Sequence, residues 1–559
     1  MNGHLSALLR FGLRCAVRRS KKSLSSSASS GGGKNGPSVS PFSTSIPQPN
    51  TAHGQVSGES SAASLSLAES LPNLPPASYV QSQSPSDLFR TQITQFDNGL
   101  RVATEPATGE FCTVGVVIDA GSRCEVAYPS GITHMLEKIA FNSSESVESA
   151  DAMYAELASY ASIVDCQNTR DSCIYASSCH LSGLDRVMHI LADAVLRPQL
   201  TKQEIERAED VVRFDVEDKL AGHNCDPLIT DWIHAAAYRM NTLGLMKHPL
   251  QYEPGKITRQ LLFAFMKRHF TPERIVVTGV GVDHQHMVEL AQRYFIDKPS
   301  IWESDPSVLP SDIPPVDRSI AQYTGGLVKE ERDLAGVSFG PDPFPEVAHF
   351  VVGLESCSYL DQDFIPFCVL NSLMGGGSSF SAGGPGKGMY TRLYTNVLNR
   401  YHFMTNAVSY NHAYKDSGLF CLHGSSPPHM LHQVAQVLVN ELLRLTEEVG
   451  REEMERAKNQ LQSMLLMNLE QKPVMFEDVG RQVMGHGYRK LPTEYMDGIK
   501  KVQRSDLYRI AERLLSSKAA VVGYGRLDKL PEYDDIDKAI SKRDLRNMSK
   551  DFLFSVFRR

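Results

Sequence analysis

Between residues 88 and 559 one series of apolar patterns runs twice, strand-like runs first and helical stretches after them. In the first series, strand-like runs at 93–96, 100–103 and 112–118 precede helical periodicity around 131–141, 149–161, 181–196, 202–220 and 226–240, with a strand at 275–279. A Pro-rich stretch at 304–317 breaks the pattern. The second series has strands at 348–354, 403–411 and 417–424, and long helices around 429–448 and 451–470. This order predicts an α+β chain of two consecutive homologous α/β units, each a mixed sheet packed by helices, spanning 88–303 and 346–559 and joined by a linker at 304–345. The repeat is architectural, because the halves do not align residue by residue.

Seven of the fourteen residues from 375 to 388 are glycine, and this segment lies inside the second unit. It reads Gly375-Gly376-Gly377-Ser378-Ser379-Phe380-Ser381-Ala382-Gly383-Gly384-Pro385-Gly386-Lys387-Gly388. Glycine loses the most backbone entropy on ordering, so such a run belongs where the backbone moves or is approached closely. Dense apolar residues from Phe364 to Met374 precede it, and Met389, Tyr390, Leu393, Tyr394, Val397 and Leu398 follow at helical spacing. The segment therefore joins two packed helices and is not an interdomain linker. It is not a nucleotide phosphate loop either: Gly386-Lys387 is followed by Gly388 where Ser or Thr is required, and Ser381 stands where the first glycine belongs.

Composition is ordinary for a globular protein, 42% apolar and 22% charged in 559 residues, but the ends are not. The first acidic residue is Glu59, and before it stand Arg10, Arg14, Arg18, Arg19, Lys21, Lys22 and Lys34, interleaved with leucines and followed by a serine-rich run. An acid-free, Arg- and Ser-rich amphipathic start predicts a mitochondrial transit peptide over 1–58. A disordered Ser/Ala/Pro/Gln linker is expected over 59–87. Losing those seven cations would take the net charge from −7 to about −14, which favours basic partners and disfavours nucleic acid. No apolar stretch reaches the length of a membrane span. Ten cysteines without a C-x-x-C pair argue against a zinc ribbon or a dithiol redox motif.

The segment 131–141 carries an apolar stripe at Ile132, Met135, Leu136 and Ile139, and on that helix His134 and Lys138 share a face. The zinc motif H-x-x-E-H places two imidazoles at those positions, with the glutamate, here Glu137, set to activate a metal-bound water. Lysine replaces the second histidine. An ammonium has no lone pair and repels a dication, so no metal is expected in this chain.

Together the H-x-x-E-K segment, the two-unit architecture and the glycine run resemble the pitrilysin-type metallopeptidases. Within them they are similar to the non-catalytic alpha subunits of the mitochondrial processing peptidase. The resemblance covers residue 90 to the C-terminus. It is carried by Phe364-Ile365-Pro366-Phe367, the run from Met374 through the glycines to Met389, Arg392-Leu393-Tyr394, Asn396-Val397-Leu398-Asn399-Arg400 and Phe476-Glu477-Asp478-Val479-Gly480-Arg481-Gln482. One departure is Ser378, where the family pattern has a fourth consecutive glycine.

The resemblance implies one half of a clam-shell heterodimer in the mitochondrial matrix, with zinc in the partner beta subunit. It implies that this chain binds the basic presequences of imported precursors for that partner to cleave. It also places the distal metal-site acid at Asp215, 77 residues beyond Lys138 and shorter than the family's glutamate. His134, Glu137, Lys138 and Asp215 then mark a degenerate metal site, and residues 375–388 the substrate contact. Glu355, Asp361, Asp363 and Asp416 are the acids nominated to meet a basic presequence. The alternative that the resemblance leaves open is a structural core subunit of the cytochrome bc1 complex.

Overall fold

The apolar runs Phe111–Ile118 and Ile275–Val280 pair side by side in the middle of one sheet, and Ala348–Glu355 and Gly418–Ser426 do so in a second. These strands are buried almost throughout, so both faces of each sheet are covered. The computed structural model describes residues 90–220, 225–250, 255–334, 346–379 and 388–548. The segments expected as transit peptide and disordered linker, 1–58 and 59–87, lie outside the described residues.

The first sheet comprises β1 (Gln92–Gln95), β2 (Arg101–Glu105), β3 (Phe111–Ile118), β4 (Ile163–Asn168), β5 (Cys173–His180) and β6 (Ile275–Val280), in the spatial order β1-β2-β6-β3-β5-β4. The second comprises β7 (Gly326–Glu331), β8 (Ala348–Glu355), β9 (Gly376–Ser378), β10 (Asn406–Ala413), β11 (Gly418–Ser426) and β12 (Ala520–Gly525), in the order β7-β12-β8-β11-β10-β9. Each sheet has one parallel pair, β2 with β6 and β7 with β12, and is otherwise antiparallel. Five strands therefore correspond in order and direction: β2-β6-β3-β5-β4 and β7-β12-β8-β11-β10. The duplication expected from the sequence is thus visible in the topology. The sheets differ at their ends, where β1 extends the first and β9, made of the leading glycines, extends the second at the opposite edge.

One boundary is corrected. β7 lies within 304–345, the expected linker, and pairs with β12 over all six residues. Its sequence, GLVKEE, is half-buried and carries no apolar run, so nothing in the pattern announces a strand.

The halves are interlocked rather than merely joined. Helix Asp226–Ala237 from the first half packs on the second sheet, where the Trp232 ring lies 4.9 Å from Tyr524. Helix Lys472–His486 from the second half packs on the first sheet, and Gly480 there permits contact with Val117 and Thr278 that a side chain would block. Arg101 Nη1 donates to the Val483 carbonyl at 2.8 Å, and Arg481 Nη1 donates to Ser172 Oγ at 2.8 Å.

Candidate functional site

Helix Ile132–Ile139 starts at Gly131, whose φ of 88° is left-handed. Its first N–H groups are met by the buried Glu125 carboxylate, which accepts from Gly131 N at 2.7 Å and Thr133 N at 3.0 Å. Burial pushes the Glu125 carboxyl up to about 7 against those hydrogen bonds. The helix presents His134, Glu137 and Lys138 toward helix Lys202–Leu220, which carries Asp215. The four residues singled out in the sequence are therefore brought together.

The fully buried His134 has Nε2 2.9 Å from Asp215 Oδ2. Burial lowers its pKa to about 4, so near pH 7 the neutral ring donates its Nε2 hydrogen to the carboxylate. Among the described residues Nδ1 has no hydrogen-bond partner. Lys219 Nζ and Lys138 Nζ lie 2.5 and 3.5 Å from the same Asp215 oxygen. Lys138 also lies 3.3 Å from Glu137 Oε1, and Lys247 Nζ 2.8 Å from Glu137 Oε2, which accepts the Asn168 N–H as well. Burial works against both carboxylates. His134, Lys138 and Lys219 nevertheless hold Asp215 well below the usual carboxylate range, and Lys247, Lys138 and His134 do so for Glu137.

Sequence reasoning missed His248. Its ring lies 5.0 Å from that of His134, and its Nδ1 lies 2.9 Å from Asp231 Oδ2, the kind of carboxylate partner that orients metal-binding imidazoles. One ligand atom each from His134, Asp215 and His248 lies within 4.8 Å of the others, the number of protein ligands a catalytic zinc uses. The charges decide against a zinc. Glu137 and Asp215 already face three ammoniums, Lys138, Lys219 and Lys247, and a dication would enter a surplus of positive charge. The charge around these donors does not fit zinc, and the lysines brace the two helices where a metal otherwise would. Glu137, ion-paired through both oxygens, is not placed to activate a water.

This brace is acid-sensitive. The unfolded chain protonates His134 near pH 6.5, the native chain only near 4, so stability falls as pH drops through that interval, by about 3 kcal/mol. Below about pH 4.5 protonation of the unfolded Asp and Glu side chains extends the loss. Urea unfolding at pH 7, 5.5 and 4.5 should show the decline, and His134→Gln should remove about 3 kcal/mol of it, the rest arising from other buried histidines such as His269, His349 and His423.

At the glycine segment, helix Phe364–Met374 ends on Gly375, with φ 55°, and the chain enters β9. β9 pairs with β10 in the register Gly376↔Val408, Gly377↔Ala407, Ser378↔Asn406. A side chain at Gly376 would overlap the Ala407 carbonyl, and one at Gly377 the Tyr394 hydroxyl. These two glycines are thus required by close packing, not by mobility. Ser378 follows in the strand, with its carbonyl 3.4 Å from the Tyr394 hydroxyl, and Ser379 N bonds the Thr405 carbonyl. Phe380, Ser381, Ala382, Gly383, Gly384, Pro385, Gly386 and Lys387 lie outside the described residues. The helix expected after the segment is a single π-helical turn, Leu393–Leu398.

Three of the nominated acids are engaged in ion pairs, and Asp361 and Asp363 share Arg513. Asp416 makes a bidentate pair with Arg123 at 2.6 and 3.0 Å across the two halves. Asp361 and Asp363 pair with Arg513 and Arg509, at 3.0 and 2.7 Å. Glu355, exposed at the end of β8, has no ion pair among the described residues. No helix among the described residues is long and apolar enough to cross a membrane.

Two family models match the chain: insulinase (peptidase family M16) over residues 101–247, and the peptidase M16 inactive domain over 256–461. The mitochondrial-processing peptidase subunit alpha of Bos taurus is 47% identical over 86% of this chain and 90% of its own length. The corresponding protein of Caenorhabditis elegans is 46% identical over 82% and 88%, and that of Neurospora crassa 32% over 80% and 87%.

Proposed function

Because this chain belongs to the family of mitochondrial-processing peptidase alpha subunits, within the M16 peptidases, we propose that it is the substrate-recognition half of such an enzyme. It binds the presequences of proteins imported into the mitochondrial matrix and holds them for cleavage by a zinc-bearing beta subunit. The observation that carries this reading is the divergence of the two sheets. They share five strands, and the second adds β9 together with the glycine segment that continues from it. The His134 site, where ammoniums face both carboxylates, supports assigning the cutting to the partner.

A presequence is basic and varies in its apolar residues, so its binding surface must rely on backbone groups and on acids. Glycine-rich chain offers N–H and C=O groups to an extended peptide without demanding particular side chains. In β9 the Gly376 N–H and the Ser378 carbonyl are already engaged, and we assign peptide contact to residues 379–387. Glu355 is the nominated acid we retain for direct contact. Asp361, Asp363 and Asp416 are engaged by this chain's own arginines and act at most through their surroundings. The relatives reported above carry the processing-peptidase name, which favours this reading over a structural role in the cytochrome bc1 complex.

Replacing residues 379–387 by a short proline-rich linker, which offers few backbone N–H donors, with both anchors kept, tests the proposal in the reconstituted heterodimer. Loss of about two backbone hydrogen bonds, each contributing about 1 kcal/mol, predicts roughly ten- to thirtyfold weaker presequence binding and a matching fall in cleavage at low substrate. Unchanged affinity and turnover would sink it.

A further inference from the structure

β9 has no counterpart in the first sheet, and its three residues carry no side-chain packing beyond Ser378. Something else must hold it on the edge of β10. Thr391, 6% exposed and just beyond the glycine segment, is placed to do so. Its Oγ1 accepts the Gly376 N–H at 3.1 Å and donates to the Gly388 carbonyl at 2.8 Å. Its own N–H donates to that carbonyl at 3.1 Å. One hydroxyl therefore ties the first strand residue of the segment to its last glycine.

The geometry explains why threonine stands there. Gly375 O and Ser379 N bond toward β10, to Ser409 N and Thr405 O, and by alternation Gly376 N and Ser378 O point the other way. Those outward groups are met by Thr391 Oγ1 and the Tyr394 hydroxyl. The methyl of Thr391 lies against Gly375, in space that a side chain at Gly375 would need. Ser409 Oγ completes the clasp by donating to the Gly375 carbonyl at 3.1 Å.

We propose that Thr391 is a positioning residue, a latch that ties Gly376 to Gly388, the described glycines on either side of the stretch assigned above to presequence contact. Its consequence for substrate rests on the reading of the segment given above. Satisfaction of the Gly376 N–H and the tie from it to the Gly388 carbonyl are the two effects involved.

The test uses the reconstituted heterodimer with Thr391→Val, which keeps shape and methyl but removes the hydroxyl, and with Thr391→Ser, which restores it. Amide exchange over residues 375–391 is read by mass spectrometry, beside KM and kcat on a basic presequence peptide. Thermal unfolding confirms that each variant is folded. Thr391→Val should exchange about tenfold faster at the segment's ends and raise KM about tenfold with kcat little changed, and Thr391→Ser should recover both. Unchanged exchange in Thr391→Val, or failure of Thr391→Ser to recover it, would overturn the latch. Faster exchange with KM unmoved would uphold the latch and overturn the role of the segment in presequence binding.

Discussion

Arg489→Met is expected to lower the unfolding free energy near pH 7 by about 3–5 kcal/mol, the range for stripping one partner from a buried ion pair. Arg489 and Glu105 have no exposed side-chain surface, and Nη1 lies 2.8 Å from Glu105 Oε1. That contact is ionic without hydrogen-bond alignment, whereas Thr91 Oγ1 donates to Glu105 Oε2 at 2.6 Å. Burial raises the Glu105 pKa, and Arg489 is the main force opposing it. Asp478, on the helix packed across the first sheet, completes the group 3.2 Å from Arg489 Nε. Without the guanidinium a carboxylate remains buried at the junction of the halves, so the damage falls on the interlock itself.

The pH dependence separates this mechanism from simple loss of packing. With Arg489 gone, native Glu105 has a pKa above its unfolded value, so the native state favours the proton and the penalty grows as pH rises. The deficit of Arg489→Met should therefore shrink as pH falls from 7 toward 5. The double variant Glu105→Gln, Arg489→Met should regain part of it, and urea unfolding of the four proteins of the cycle measures both. A deficit below about 1 kcal/mol would show that the pair does not secure the interlock.

What the sequence made legible follows from how local each feature is. Phe111–Ile118, Ile275–Val280 and Ala348–Glu355 are near-continuous apolar runs, and the expected strands fall on them within a residue or so. β5 is as buried as they are, but CIYASSCH places serine and cysteine inside the sheet and leaves no run to see. β12 is interrupted by Gly523. The exchange of helices Asp226–Ala237 and Lys472–His486 was illegible, since periodicity locates a buried face without naming the sheet that covers it.

The sites divide in the same way. His134, Glu137 and Lys138 lie within one helix turn and were visible together, with Asp215 added by family resemblance. His248 reaches them from a loop without periodicity, and Lys219 and Lys247 are ordinary surface residues in any sequence. The acids fared worst because their partners are distant: Arg123 lies 293 residues from Asp416, and Arg509 146 from Asp363. Nothing local shows that an acid is already neutralised.

Lysine standing in for metal leads to the second large effect. The chain as it stands should take up no stoichiometric zinc, whereas Lys138→His with Lys219→Ala should bind one zinc at least about a thousandfold more tightly. A unit cation about 5 Å from a dication costs on the order of 6–7 kcal/mol at an effective dielectric of about 20, so removing two ammoniums outweighs the contribution of any one ligand. The introduced imidazole would join His134, Asp215 and His248, whose ligand atoms already lie within 4.8 Å of one another. Lys138→His alone should gain much less, because Lys219 still lies 2.5 Å from Asp215 Oδ2. Peptide cleavage should remain undetectable in either variant. Lys247 and the Asn168 N–H still occupy Glu137 Oε2, and a glutamate so held does not take a proton from water. Titration calorimetry with zinc, followed by chelator competition and a peptide assay on the isolated chain, measures each step. Tight one-to-one zinc binding by the unaltered chain would mean that the lysines yield to the metal, and the brace would then be only its resting arrangement.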